Sequence, residues 1–166
     1  MKVEFLKVSQ RKPSQIQILS DLFEDYFDIL YSKILPIDTL KTLKGFIFAD
    51  VLKDEIIFGE KEYYLILLDE VIVGFFEFVF EKEALYLNNI FIKKEFQNKN
   101  VGKKVLDFTV DVALKNDFKT IASYVPNELN DILNFFRKFD FQVIKQNVKY
   151  FGSGISIYCY KVEKEL

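Results

Sequence analysis

Residues 85–112 read LYLNNIFIKKEFQNKNVGKKVLDFTVDV, and three patterns follow one another inside them. Leu85 to Ile92 is an apolar-rich run of strand length, residues 93–100 form a polar turn, and Val101, Val105, Phe108 and Val112 then recur at helical spacing. A strand that feeds a helix through a polar turn leaves unpaired backbone N–H groups at the helix start, which suits a phosphate or pyrophosphate. The turn is also basic: Lys93, Lys94, Lys99, Lys103 and Lys104 stand against one acid, Glu95. If the chain binds a nucleotide-like cofactor, this is the place for it.

A chain of 166 residues has the length of one domain, 1–166, with room for a substantial core. Half of the residues are apolar and 17 % are aromatic, which excludes a disordered chain. The absence of His removes histidine general bases, His-containing triads and the common zinc sites, so no metal is expected. The single Cys159, in ISIYCYKV, excludes an internal disulfide and reads as a small buried hydrophobe. A formal charge of −2 gives no basis for nucleic-acid binding. No window approaches a membrane span and MKVEFLKVSQRKP lacks a signal-peptide core, so the expectation is a cytoplasmic protein without membrane contact.

Lys2 to Val8 alternates as a first strand, with Val3, Phe5 and Val8 assigned to one side. Ser14 and Gln17 have capping-box spacing after Pro13, and Ile16, Leu19, Leu22, Phe23, Tyr26, Phe27 and Leu30 then form a helical stripe. The opposite face carries Asp21, Glu24, Asp25 and Asp28, either a solvated face or an attraction for a cationic ligand. After Pro36, Asp38 opens a second helix through Leu40, Leu43, Phe46 and Ile47, while 50–60 fits neither period. Tyr63 to Leu68 and Val71 to Phe80, joined by Asp69 and Glu70, read as a hairpin, with Gly74 marking a bulge or a close backbone approach. Beyond the central helix, Lys119 to Val125 is a strand, a helix starts near Glu128 or Asn130, and FDFQVI opens the next strand. A turn around residues 152–154 precedes ISIYCYKV, a last strand and a candidate exposed edge, and so a route to a homodimer as the alternative to a monomer. Neither a Gly-x-Gly-x-x-Gly nor a Walker sequence is present.

The run IFIKKEFQNKNVGKKVL resembles the acyl-CoA-binding segment of the GCN5-related N-acetyltransferases (the GNAT family). Their pattern of Gln or Arg, two residues, Gly, one residue, and Gly or Ala falls on Gln97, Asn98, Lys99, Asn100, Val101 and Gly102, with Asn100 at the first Gly. Asn is the non-Gly residue that most readily takes positive φ. The order of elements, one strand, two helices, three strands, helix, strand, helix and two strands, matches that family end to end. The resemblance implies an α+β fold: a mixed, mostly antiparallel central sheet of about six to seven strands flanked by about four helices.

It also implies transfer of an acetyl or other acyl group from acetyl-CoA to a primary amine, of a small molecule or a peptide N-terminus. Backbone amides of Ile90, Phe91 and Ile92 would polarise the thioester, and those of Gln97 to Gly102 would hold the pyrophosphate, with Lys99 and Lys103 adding charge. The family's Asn after the fifth strand corresponds to Asn127 or Asn130. Its Tyr, four residues before a Gly-Phe pair, falls on Phe136, and the pair on Asp140 and Phe141. Phe136 keeps an aromatic body for the pantetheine end but cannot donate a proton. Tyr124 or Tyr150 is then the candidate acid. Glu77 is the candidate base, because it places a carboxylate inside VIVGFFEFVF; its alternative is an outward-facing acid on a half-exposed strand. Asn88 and Asn89 are expected on opposite sides of their strand, one of them orienting water or acceptor. Phe136, Asn100 and Asp140 together leave a second reading, a non-catalytic regulatory or scaffolding module that binds a CoA derivative.

Overall fold

The computed structural model describes residues 1–45, 49–59, 61–151 and 154–166. Strand β1 is Val3–Lys7, followed by α1 (Pro13–Leu30), a single 3-10 turn, α2 (Ile37–Lys44) and α3 (Ala49–Ile57). Then come β2 (Glu62–Leu68), β3 (Val71–Phe80), β4 (Leu85–Ile92), α4 (Val101–Lys115), β5 (Thr120–Pro126), α5 (Asn130–Lys138), β6 (Gln142–Tyr150) and β7 (Ser156–Glu165). The strands form one sheet in the order β1-β2-β3-β4-β5-β7-β6, in which only the β4–β5 pair is parallel. This is the expected mixed, mostly antiparallel α+β architecture, with five helices among the described residues where about four were expected. The extra one is α3, in the stretch whose apolar residues fit no single period.

Helix α1 begins at Pro13, because a fixed φ and a missing N–H suit proline to the first helical position. That start puts Ser14 inside the first turn, so the capping box does not form, and Gln17 instead donates to Asp21. The apolar stripe is buried as expected and the acids Asp21, Glu24, Asp25 and Asp28 face outward. Leu40 and Leu43 of α2 are buried, whereas Phe46 and Ile47 lie outside the described residues, as do 152 and 153 of the expected turn.

Each face of the sheet carries its own core. One is built from α1, α2 and α3 against Tyr63, Leu65, Phe75, Phe91, Ile157 and Cys159. The other packs α4 and α5 on Ile66, Phe76, Phe78, Leu87, Ile121 and Val162. Val3 and Phe5 pack with the second core, but Val8, an even number of residues away from neither, is buried in the first.

At the β2–β3 hairpin, Asp69 and Glu70 both have positive φ, the conformation that matches the twist of a two-residue hairpin. Register slips between Ile66 and Leu67 opposite Gly74. A Cβ on Gly74 would overlap the carbonyl oxygen of Phe91, so the close approach expected there is made to β4. The expectation of an exposed ISIYCYKV edge is corrected: β7 pairs with β5 on one side and β6 on the other. Its Ile157 and Cys159 are buried in one core and Val162 in the other, so both faces require cover, while the largely exposed polar β6 tolerates the edge.

Two outcomes follow from this packing. Gly74→Ala should destabilise the fold by about 1–3 kcal/mol, the usual range for overpacking, and lower the melting temperature in a thermal scan by several degrees. Burial pushes the Cys159 thiol up to about 11, so roughly a thousandth is thiolate at pH 8. Iodoacetamide at that pH should leave the native protein unmodified and label it in denaturant, as read by mass spectrometry.

Candidate functional site

Strands β4 and β5 are paired only at Leu85↔Ile121 and Tyr86↔Ala122. Beyond those residues they part, and the β4 edge from Leu87 to Ile92 has no strand partner on the β5 side. The cause is visible in the β3–β4 register: Phe75↔Phe91 and Glu77↔Asn88 are both pairs, so β4 fits three steps opposite two of β3. Asn89, at φ 49°, supplies the extra step. Such a bulge bends its strand and strengthens the local twist. It also reverses the side-chain alternation. Asn88 and Asn89 therefore line the same cleft, which overturns the expectation that they face opposite sides.

Beyond β4, the chain passes through a 3-10 turn, Lys94–Phe96, to the start of α4. Asn98 and Asn100 both take positive φ, 59° in each case, so Asn100 supplies the left-handed conformation without glycine. It makes no side-chain capping bond, which leaves the first turn of α4, at Val101, Gly102 and Lys103, without a side-chain cap. The exposed Gln97 side chain donates its amide Nε2 to the Ile92 carbonyl at 2.8 Å and ties the turn to β4. Lys103 is paired with Asp107 at 2.8 Å and the Lys99 ammonium lies 5.2 Å from the centre of the Phe96 ring. Gly102 sits under the half-buried Phe135 ring: a Cβ there would lie 2.9 Å from Cε2, so the ring would have to move for any larger residue.

On the opposite face of the sheet lies a cleft of about 420 Å³. Glu77, Asn88 and Asn89 form one wall, Asn147 and Lys149 the other, and Tyr124 lies between them. Glu77 is only 3 % exposed, so it is not the outward-facing acid of the alternative reading. Its Oε2 accepts Asn89 Nδ2 at 2.8 Å and lies 3.9 Å from Lys61 Nζ. The Asn89 amide is oriented in turn by Tyr26, whose hydroxyl donates to Oδ1 at 3.1 Å. Lys61 is paired more closely with Glu55, at 2.8 Å, and Glu55 also accepts the Tyr63 hydroxyl. Burial raises the pKa of Tyr26, Tyr31 and Tyr63 well above the ordinary phenol range, so these hydroxyls keep their protons, and Tyr26 donates to Asn89 and Tyr63 to Glu55. None of the outward acids of α1 lines the cleft, and Asp28 is paired with Lys44.

The remaining candidates separate. Tyr124 is half-buried, stacked on Tyr86 with ring centres 5.6 Å apart, and burial raises its pKa. Tyr150 also touches the cleft but is 77 % exposed. Phe136 is 1 % exposed and packed against Phe135 and Phe141, so its ring offers a cofactor no open surface. Asp140, at φ 68°, takes the left-handed conformation in place of glycine after α5. Asn130 is an exposed first residue of α5, whereas the Oδ1 atoms of Asn127 and Asn88 are buried without a partner among the described residues. Buried acceptors of this kind ask for a donor. A larger groove, about 600 Å³, runs beside Tyr64, Phe80, Phe108 and Asp111 and holds none of these groups.

Sequence reasoning missed Lys61, Lys149, Tyr26 and Phe135. Lys149 left a signal, a lysine two residues from Asn147 on a strand and therefore on its face, but nothing local marks that face as inward.

The domain profile described as Acetyltransferase (GNAT) domain matches residues 28–164. No curated protein sequence matches the chain. Among solved structures, the chain is similar to the PaiA N-acetyltransferase from Thermoplasma acidophilum in complex with coenzyme A, at 19 % identity and TM-score 0.76, over 100 % of both chains. A GCN5-related N-acetyltransferase from Rhodopseudomonas palustris aligns at 13 % identity and TM-score 0.78, over 100 % of this chain and 97 % of that one. A GNAT family acetyltransferase from Elizabethkingia anophelis with acetyl-CoA bound aligns at 14 % identity and TM-score 0.63, over 99 % and 98 %. At these identities the likeness is one of fold. Among the described residues no helix is long and apolar enough to cross a membrane.

The Tyr26–Asn89–Glu77 chain has a direct test. Tyr26→Phe should leave Asn89 Oδ1 buried without its donor and reduce unfolding free energy by about 1–3 kcal/mol, measured by urea denaturation.

Proposed function

We propose, for a chain that belongs to the GNAT acetyltransferase family, that it transfers the acetyl group of acetyl-CoA to the amine of a small molecule or peptide N-terminus by direct attack. One observation carries the reading. Strands β4 and β5 part beside an uncapped helix start on one face of the sheet and the buried carboxylate of Glu77 on the other.

The donor set suits the cofactor. Backbone N–H groups at Val101, Gly102 and Lys103 would receive the pyrophosphate, with the α4 dipole and the nearby lysines favouring its charge. The left-handed Asn98 and Asn100 keep the turn open toward it. Acetyl-CoA would bring the thioester; the protein's part is to hold it in the gap, where the unpaired edge of β4 at Ile90, Phe91 and Ile92 presents backbone donors to the carbonyl oxygen. Asn127, with its orphan Oδ1 at the end of β5, fits a cofactor amide N–H better than Asn130 does.

On the acceptor side Glu77, fixed by Asn89 and Lys61, would take the proton of the incoming ammonium directly or through a water. Tyr124 would return a proton to the departing thiolate. Its raised pKa keeps the phenol protonated through neutral pH, so this role should survive into the alkaline range and fail only above the ordinary phenol pKa. The second reading, cofactor binding without turnover, is favoured by Phe136, which has no proton to give at the family's Tyr position.

Calorimetry with acetyl-CoA, followed by thiol release against an amine panel, separates the two. Expected are saturable binding and turnover, a loss of about 10²–10⁴ in kcat for Glu77→Gln, and acetyl-CoA affinity unchanged by that substitution. Absence of acetyl-CoA binding would remove both readings, and binding without turnover on any amine would leave only the second.

A further inference from the structure

We infer that the acceptor carries an anionic group beside its amine, and that Lys149 receives it. This rests on the reading of the Glu77 cleft as the acceptor site. The class of acceptor is a small amine bearing a carboxylate or phosphate a few bonds away.

Lysine on an edge strand normally points to water, as Lys145 does here. Lys149 is turned the other way. It pairs with Ile157, and Asn147 on the same face pairs with Cys159; both β7 partners belong to the core beneath α1. The ammonium lies 5.1 Å from the centre of the Phe151 ring and makes no ion pair or side-chain hydrogen bond among the described residues. Burial lowers its pKa, with Glu77 opposing and Lys61 adding to that shift, so all three charges share one electrostatic environment. Lys149 is half-buried; holding a partly desolvated ammonium without a carboxylate is unfavourable, and an incoming anion reduces that penalty.

The cleft also has the matching half. Asn88 is the register partner of Glu77, and its buried Oδ1 has no donor among the described residues. Glu77 and Asn88 thus present two oxygens on one wall to an ammonium, while Lys149 and the Asn147 amide stand on the other. With Lys61 already paired to Glu55, the described lining offers one ammonium, Lys149, and one carboxylate, Glu77. That balance fits a zwitterion better than a polycation. The space, about 420 Å³, is within the ordinary range for a small-molecule site.

The test compares kcat/KM, with acetyl-CoA saturating, for L-phenylalanine against L-phenylalaninamide, phosphoethanolamine against ethanolamine, and spermidine as the polycation. An anionic member should exceed its neutral partner by about tenfold or more, mainly through KM, and should exceed spermidine. The pair with the larger ratio tells a carboxylate from a phosphate. Lys149→Met should collapse the ratio to near one, and Lys149→Arg should retain most of it; acetyl-CoA affinity measured by calorimetry reports that each variant is folded. Neutral amines or spermidine turned over as well as the anionic ones would overturn this inference and leave acetyl transfer standing. No turnover with any of these amines would remove the inference together with the transferase reading.

Discussion

The extra residue at Asn89 sets the geometry of the site. A regular β4 would alternate Asn88 and Asn89 across the sheet and could continue alongside β5. With Asn89 at φ 49°, three steps of β4 lie opposite two of β3, and β4 pairs with β5 over only two positions. The open edge and the shared orientation of the two asparagines have that common origin. Gly74 allows it, since only a residue without Cβ lets β3 meet the Phe91 carbonyl where the bent strand passes. Strain at this point is held in place by the aromatic core on the α1 side, where Phe75 and Phe91 pack with Tyr26 and Phe23.

A buried carboxylate is costly unless it is hydrogen-bonded or paired. Glu77 has both forms of support, an Asn89 amide oriented by Tyr26 and a lysine shared with Glu55. These contacts draw on α1, α3, β4 and the residue that precedes β2, so the carboxylate on β3 is positioned from several separate parts of the chain. The Glu55 contribution comes from α3, the helix whose sequence was hardest to read.

Positions 100, 102 and 140 separate two uses of glycine. At Asn100 and Asp140 the requirement is a left-handed backbone, which Asn and Asp meet at small cost, and both adopt it. At Gly102 the issue is space, because a Cβ would come within 2.9 Å of the Phe135 ring and displace it. The first two departures from the family's pattern therefore leave the backbone shape intact. Phe136 is a different matter: it changes the chemistry available and, in this structure, is absorbed into the core.

Apart from α3, the element order, the amphipathic helices and the strand–turn–helix at residues 85–112 were legible in the amino-acid sequence, because periodicity and turn chemistry are local. The left-handed tendency of Asn100 was legible for the same reason, and so was Glu77 as an anomaly within an apolar run. What depends on strands far apart in sequence was not. Register decides which side a residue faces, so the bulge at Asn89 could not be read from LYLNNIFI, and neither could the inward turn of Lys149 on a strand that otherwise reads as exposed. The place of β7 between β5 and β6 was likewise a matter of pairing partners, which local hydrophobicity does not name. The sequence by itself determined the elements other than α3 and the left-handed turn before α4; the tertiary structure decided which side chains meet across the sheet, because a one-residue change in register moves every side chain to the other face.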